Sequence, residues 1–196
     1  MLAYHVTFGA YGFWLPNDPR GSWSQQVRAK HLKQFGPATK VTTSRSLAPA
    51  PHDRQHRLRA KQSLKHPAVR FDNAQIAVIG DGFNSTVEQI HLQIFACAIM
   101  ADHVHVVVAR HTESIETVVG FLKRSASRSL SRAGCHPLVS RRKPNGRLPS
   151  PWVEGGWNVF LDSADEIRHR IGYTEDNPVK AGLPRQHWPF VVPFVA

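Results

Sequence analysis

His91-Leu-Gln-Ile-Phe-Ala-Cys-Ala-Ile-Met-Ala-Asp-His-Val-His-Val-Val-Val-Ala-Arg110 is the stretch that decides the fold. Residues 91–100 form an apolar run, Ala101-Asp102 has the length of a tight turn, and residues 103–110 return as a β-branched run. That pattern predicts a β-hairpin. Side chains alternate across a strand, so Val104, Val106 and Val108 point into the core while His103 and His105 share the other face. Two residues apart on a strand, their Cβ atoms lie roughly 6–7 Å from each other, which lets both imidazoles reach one divalent cation. In a chain with 12 histidines the plainer alternative is a pair of satisfied rings on a half-buried strand.

The elements on either side follow from caps and periodicity. Upstream, Asp72 is an N-cap, and Ile76, Val78, Ile79 and Phe83 give a helical face running to about Gln89, with Gly80 and Gly82 unfavourable to it. Ala3 to Tyr11 reads as a strand. Downstream, Ser114 caps a helix whose apolar face is Ile115, Val118, Val119, Leu122 and Ala126. Residues 134–151 are a basic loop, and Gly156 to Leu161 is a short strand. Ser163 with Glu166 makes a capping box for a last helix, which Pro178 is expected to end. The order β-α-β-β-α-β-α predicts an α+β, ferredoxin-like (RRM-like) antiparallel sheet with helices on one face, plus a C-terminal helix bearing Tyr173.

Residues 24–69 interrupt this pattern. They are polar and basic, carry Pro37, Pro49, Pro51 and Pro67, and hold too few apolar residues for a core of their own. They read as a basic insertion in a single domain spanning 1–196, with one short helix near Gln25–Gln34.

Charge narrows the function. The net charge is +11, and it is concentrated: residues 20–70 hold 12 Lys/Arg with Asp53 as the sole acid, and residues 123–147 hold 8 with none. Such blocks match a polyanion. No apolar run approaches the ~20 residues of a membrane span, and the N-terminus lacks a signal-peptide pattern. A cytoplasmic, nucleoid-associated protein without a membrane partner is therefore expected. Cys97 and Cys135 provide neither a disulfide framework nor a cysteine-based zinc site.

On the last helix, Ile167 and Ile171 mark the apolar stripe. Tyr173 lies about 200° around the axis from Ile171, so an exposed phenol is expected there, with Asn177 one turn on. A tyrosine can serve as a covalent nucleophile. A cation held nearby would polarise a scissile phosphate.

Taken together these residues resemble a known family. His103-Val104-His105 is similar to the His-hydrophobe-His motif of the HUH endonuclease superfamily. Tyr173-Thr-Glu-Asp-Asn-Pro-Val-Lys-Ala-Gly-Leu183 resembles the tyrosine helix of the REP-associated tyrosine transposases. The resemblance extends to Tyr4–Phe8, Trp14–Gly21 and Gly156–Phe160, and it is weakest over 24–69. It implies attack by Tyr173 on a DNA phosphodiester, giving a 5′-phosphotyrosine and a free 3′-OH. It also implies Mg²⁺ or Mn²⁺ held by His103, His105 and Asn177. Many members carry Asn where this chain has Asp102, so a carboxylate there is an extra or alternative ligand. The implied substrate is single-stranded DNA bearing hairpins. Arg124, Arg128, Arg132, Arg141, Arg142 and Lys143 would track its phosphates, together with Arg20, and Trp14, Trp23 and Trp157 would stack on its bases. A monomer is expected, a homodimer being the alternative that Gly172 also permits. The competing reading is a catalytically silent DNA-hairpin binding protein. Initiator or relaxase chemistry lacks its third histidine or second tyrosine here, and no zinc-hydrolase motif is present.

Overall fold

Four strands build one antiparallel sheet in the order β2-β3-β1-β4: β1 (Ala3–Gly9), β2 (Ile94–Ile99), β3 (His103–Ala109) and β4 (Trp157–Leu161). The structure is a computed structural model and describes residues 1–18, 27, 29–38 and 51–195. Helices α2 (Asn73–Ile90) and α3 (Ile115–Arg132) lie in the two crossovers. This is the α+β architecture that the hairpin and its flanks predict.

Strand parity divides the sheet into two faces. Val6, Phe8, Ile99, Val104, Val106 and Val108 pack with Ile79, Phe83, Leu122 and Leu130 of α2 and α3 in the main core. Burying each such side chain stabilises the fold by about 1.5–3 kcal/mol. The opposite face carries Ala3, Ala96, Val107 and Leu161, and these meet Ile167 of α4 (Ala164–Lys180). α2 and α3 thus share one face, and α4, the helix bearing Tyr173, covers part of the other.

The two unfavourable glycines of α2 have a packing reason. A Cβ at Gly82 would sit 2.8 Å from the Ala126 backbone of α3, and one at Gly80 would sit 2.2 Å from the Trp188 ring. Their absence lets the elements approach closely. α2 ends at Ile90, one residue past the expected Gln89. His91 is its C-cap in the left-handed region at φ 53°, so β2 starts at Ile94 and not at His91.

Pro178 does not end α4. The helix continues to Lys180 and closes on Gly182, at φ 75°. Leu183 N–H donates to Pro178 C=O and Gly182 N–H to Val179 C=O, the paired bonds of a Schellman cap. Proline loses only one helix donor this close to the end, and the glycine sets the stop.

Two elements of the insertion are described. Of the helix expected near 25–34, residues 25, 26 and 28 lie outside the described residues, and Lys30–Phe35 forms a 3₁₀ turn; α1 (Arg54–Gln62), capped by Asp53, has no counterpart in the sequence reading. Leu32 and Ala60 share a small cluster with Leu15 of the main body, so the insertion borrows its core. Asn17 Nδ2 donates to Asp53 C=O, and Arg57 lies 3.8 Å from the buried Asp18 carboxylate. These contacts fasten α1 to the Trp14–Asp18 loop. Among the described residues, no helix is long and apolar enough to cross a membrane.

Candidate functional site

The site forms where β1 and β3 run side by side under α4. Thr7 pairs with His105 and Gly9 with His103, which sets His5, Thr7, His103 and His105 on the α4 side of the sheet. The two motif imidazoles stand edge to face, centroids 4.8 Å apart and planes at 88°. The Tyr173 ring packs edge-on against both His105 (5.5 Å) and His5 (5.6 Å). Tyr173 is therefore half-buried in the site, and not the exposed phenol expected from the helical wheel. Its flank is used because Ile167, Thr174 and Pro178 form the buried stripe and seat α4 with Tyr173 leaning toward β1 and β3.

Each motif histidine has one nitrogen engaged. His103 Nδ1 lies 2.7 Å from Asp102 Oδ1, and His105 Nδ1 lies 2.9 Å from Thr7 Oγ1. Both contacts use Nδ1, which turns both Nε2 atoms to the opposite edge of their rings. Two imidazoles presenting Nε2 on one face suit a divalent cation. Burial holds His105 well below the ordinary histidine pKa, and His103, His5 and Arg170 add to the effect. His105 is thereby kept neutral. Asn177 sits one turn past Tyr173, and its Nδ2 donates to the Tyr173 carbonyl at 2.7 Å. That leaves Oδ1 as the atom Asn177 would offer a metal. Among the described residues, no group of three His, Cys, Asp or Glu side chains is arranged to hold a metal ion.

Sequence reasoning missed several members of this site. His5 is buried, stacks on His105 at 5.4 Å with planes 6° apart, and has no hydrogen-bond partner at Nε2. Burial, assisted by Arg170, pushes its pKa down to about 3. The signal was the alternation Tyr4-His-Val-Thr-Phe8, which puts His5 and Thr7 on the face away from Val6 and Phe8. Phe13 stacks on His103 at 4.7 Å, and Trp14 leans on Phe13. Arg170 and Lys180 stand 5.9 and 5.8 Å from the Tyr173 ring centroid, bringing positive charge beside the phenol.

No protein-family model matches the sequence, and no curated protein matches it. Among solved structures, the chain is similar to a REP-associated tyrosine transposase bound to a REP hairpin. The TM-score is 0.47 at 13% identity, covering 96% of this chain and 74% of that one. It is also similar to a protein of Deinococcus radiodurans R1 described as a transposase, with TM-score 0.37 at 13% identity over 89% and 88% of the two chains.

The basic residues lie elsewhere. Arg124, Arg128 and Arg132 project from α3 one turn apart and, with Arg142 and Arg147, line an open groove of about 630 Å³. This groove flanks the face of the sheet opposite Tyr173. Lys123 is drawn inward at its end, donating to the Val153 and Gly155 carbonyls, and burial lowers its pKa to about 8 against the pull of Glu154. Arg141 and Lys143 are exposed on the adjoining loop. Trp157 is half-buried on the edge strand β4, paired with Thr7 and so on the same face as the histidines. Arg20 and Trp23 lie outside the described residues.

Proposed function

We propose that this chain is a metal-dependent single-stranded DNA endonuclease and transposase that cleaves and rejoins DNA at hairpin sites through a covalent 5′-phosphotyrosine. The observation that carries the reading is the packing of Tyr173 against His105, with His103 presented on the same face. A silent binding protein has no use for a tyrosine seated on two neutral imidazoles.

His103 and His105 would hold Mg²⁺ or Mn²⁺ through Nε2, with Asn177 Oδ1 as the candidate third donor, and the cation would polarise the scissile phosphate. In the cleavage step the Tyr173 oxygen bonds to phosphorus and loses its proton. The bond from phosphorus to the upstream 3′-oxygen breaks, and that oxygen leaves as a 3′-OH. Rejoining is the same exchange with an incoming 3′-OH. Arg170 and Lys180 would offset phosphate charge beside the nucleophile, and the α3 groove would hold the backbone. The hairpin preference is supported by the resemblance of residues 173–183 to the transposase tyrosine helix. A monomer is supported by α4 packing on its own β2 and β3, which completes the site within one chain.

The test is denaturing electrophoresis of labelled single-stranded hairpin DNA with Mn²⁺, comparing wild type with Tyr173→Phe. A covalent protein–DNA species formed by wild type alone is the expected result. Cleavage surviving in Tyr173→Phe would move the nucleophile elsewhere. Binding without cleavage by the wild type would favour the silent hairpin-binding reading.

A further inference from the structure

We infer that Asp102 is a positioning residue for His103, held in place by Arg70, and is not a metal ligand. The inference rests on the reading of His103 as a ligand under the proposed function. Its geometric basis is a chain of two contacts: Arg70 Nη1 to Asp102 Oδ2 at 3.2 Å, and Asp102 Oδ1 to His103 Nδ1 at 2.7 Å.

An ionised carboxylate can only accept hydrogen bonds, so His103 Nδ1 must carry the proton. In a neutral ring this leaves the lone pair on Nε2, at the far edge of the imidazole. A cation bound there is out of reach of the oxygen on Nδ1, and the second carboxylate oxygen is occupied by Arg70. The same two contacts that fix the tautomer thus turn Asp102 toward Nδ1 and Arg70 and away from the Nε2 edge. Where the resemblance left a carboxylate at position 102 as an extra or alternative ligand, the geometry points to orientation instead.

The backbone places these groups independently of their charges. Phe71 N–H donates to Ala101 C=O and Ala10 N–H to Asp102 C=O, tying the segment holding Arg70 and the start of the site loop to the hairpin turn. The ring itself is gripped from two further sides. Phe13 stacks on it, in the space that Gly9, the cross-strand partner of His103, leaves open. His105 meets its edge. With one face, one edge and Nδ1 all set, Nε2 has one direction to point. Carboxylate partners of this kind raise the basicity of the ligating nitrogen, and their loss costs 10–100-fold in metal affinity.

The test uses the full chain labelled with ¹⁵N-histidine, without metal, at mildly alkaline pH where imidazole is neutral. Long-range ¹H–¹⁵N correlation reads each ring's tautomer. Wild-type His103 is expected as the Nδ1–H form, and Asp102→Ala is expected to move it toward Nε2–H. Asp102→Asn, which keeps one acceptor oxygen and the side-chain shape, is expected to fall between. Mn²⁺ affinity, measured by paramagnetic resonance of the free ion, should drop about 10–100-fold in Asp102→Ala and remain measurable. An unchanged tautomer in Asp102→Ala overturns the inference. So does loss of Mn²⁺ binding as complete as in His103→Ala, since that would make Asp102 a ligand. Should His103→Ala itself leave Mn²⁺ affinity intact, the metal reading of the proposed function fails, while the tautomer result still decides the Asp102–His103 contact.

Discussion

His5 and His105 lie flat on one another across the neighbouring strands β1 and β3, their ring centroids 5.4 Å apart and their planes 6° from parallel. Both are buried, and neither has an acid against it to reward a charge. Burial accounts first for the lowered pKa of each, and the Arg170 guanidinium contributes to both. These two rings are therefore held in the neutral form, and protonation of either is disfavoured.

That neutrality predicts acid sensitivity of the metal-free fold. A histidine whose folded pKa lies below its unfolded value of about 6.5 contributes fully above that pH. As pH falls, the unfolded chain binds protons that the native state refuses, and stability declines from about pH 6.5 toward the folded value, about 3 for His5. The slope is up to about 1.4 kcal/mol per pH unit for each histidine. Urea midpoints followed from mildly alkaline pH to about pH 5 should fall, and less so in His5→Phe, which keeps the ring shape without the titration. A wild-type midpoint that is flat across that interval would show that the rings accept protons in the native state.

Gly9→Ala should damage both fold and site. A Cβ at Gly9 would meet the Phe13 ring at 2.6 Å, and Phe13 is the ring stacked on His103. Such overpacking costs about 1–3 kcal/mol. Denaturant titration measures the loss, and a shift of the His103 ring resonances reports displacement of Phe13. Unchanged His103 resonances in a destabilised Gly9→Ala would show that Phe13 is not what seats the ring.

The sequence carried the local signals well and the long-range ones poorly. Hairpin register, the alternation that separates Val104 from His105, and the Asp72 and Ser163 caps depend on neighbours a few residues apart, and all are seen in the structure. The Schellman stop at Gly182 was equally local but was obscured by Pro178, four residues earlier, which propensity treats as the stronger signal. His5 could not be weighed without knowing that β1 pairs with β3, and Arg70 could not be linked to Asp102 without the Phe71–Ala101 contact. α1 lay in a segment whose composition reads as coil, and it is held by Asp18 and Leu15, which sit far upstream. The pairing of Tyr173 with His105 is likewise tertiary, since no helical-wheel argument tells which flank of α4 meets the sheet.

Replacing Arg124, Arg128 and Arg132 with alanine should weaken single-stranded DNA binding without touching the Tyr173 site, because α3 lies across the sheet from it. Each phosphate contact to a single strand contributes about 0.7 to the slope of log affinity against log salt. Three lost contacts should reduce that slope by about 2, measured by fluorescence anisotropy over a salt series. A wild-type slope in the triple variant would place the DNA elsewhere, on α1 or on the Arg170–Lys180 side of α4.

Gln186→Ala tests how the open edge of the sheet is closed. β2 is an edge strand, and Gln186 treats it as a strand partner would: its Nε2 donates to Ile99 C=O and its Oε1 accepts from Ile99 N–H, both at 2.8 Å. Six residues later Val192 N–H donates to Ile94 C=O, so the chain after α4 covers β2 at both ends. An uncovered edge is a template for pairing with another chain. Alanine strands two partly buried backbone groups, a loss of about 1–3 kcal/mol. Urea unfolding should register that loss, and sedimentation should show concentration-dependent association absent from the wild type. A variant that is destabilised yet stays monomeric would mean that Val192 and its neighbours suffice to guard the edge, and Gln186 then serves stability alone.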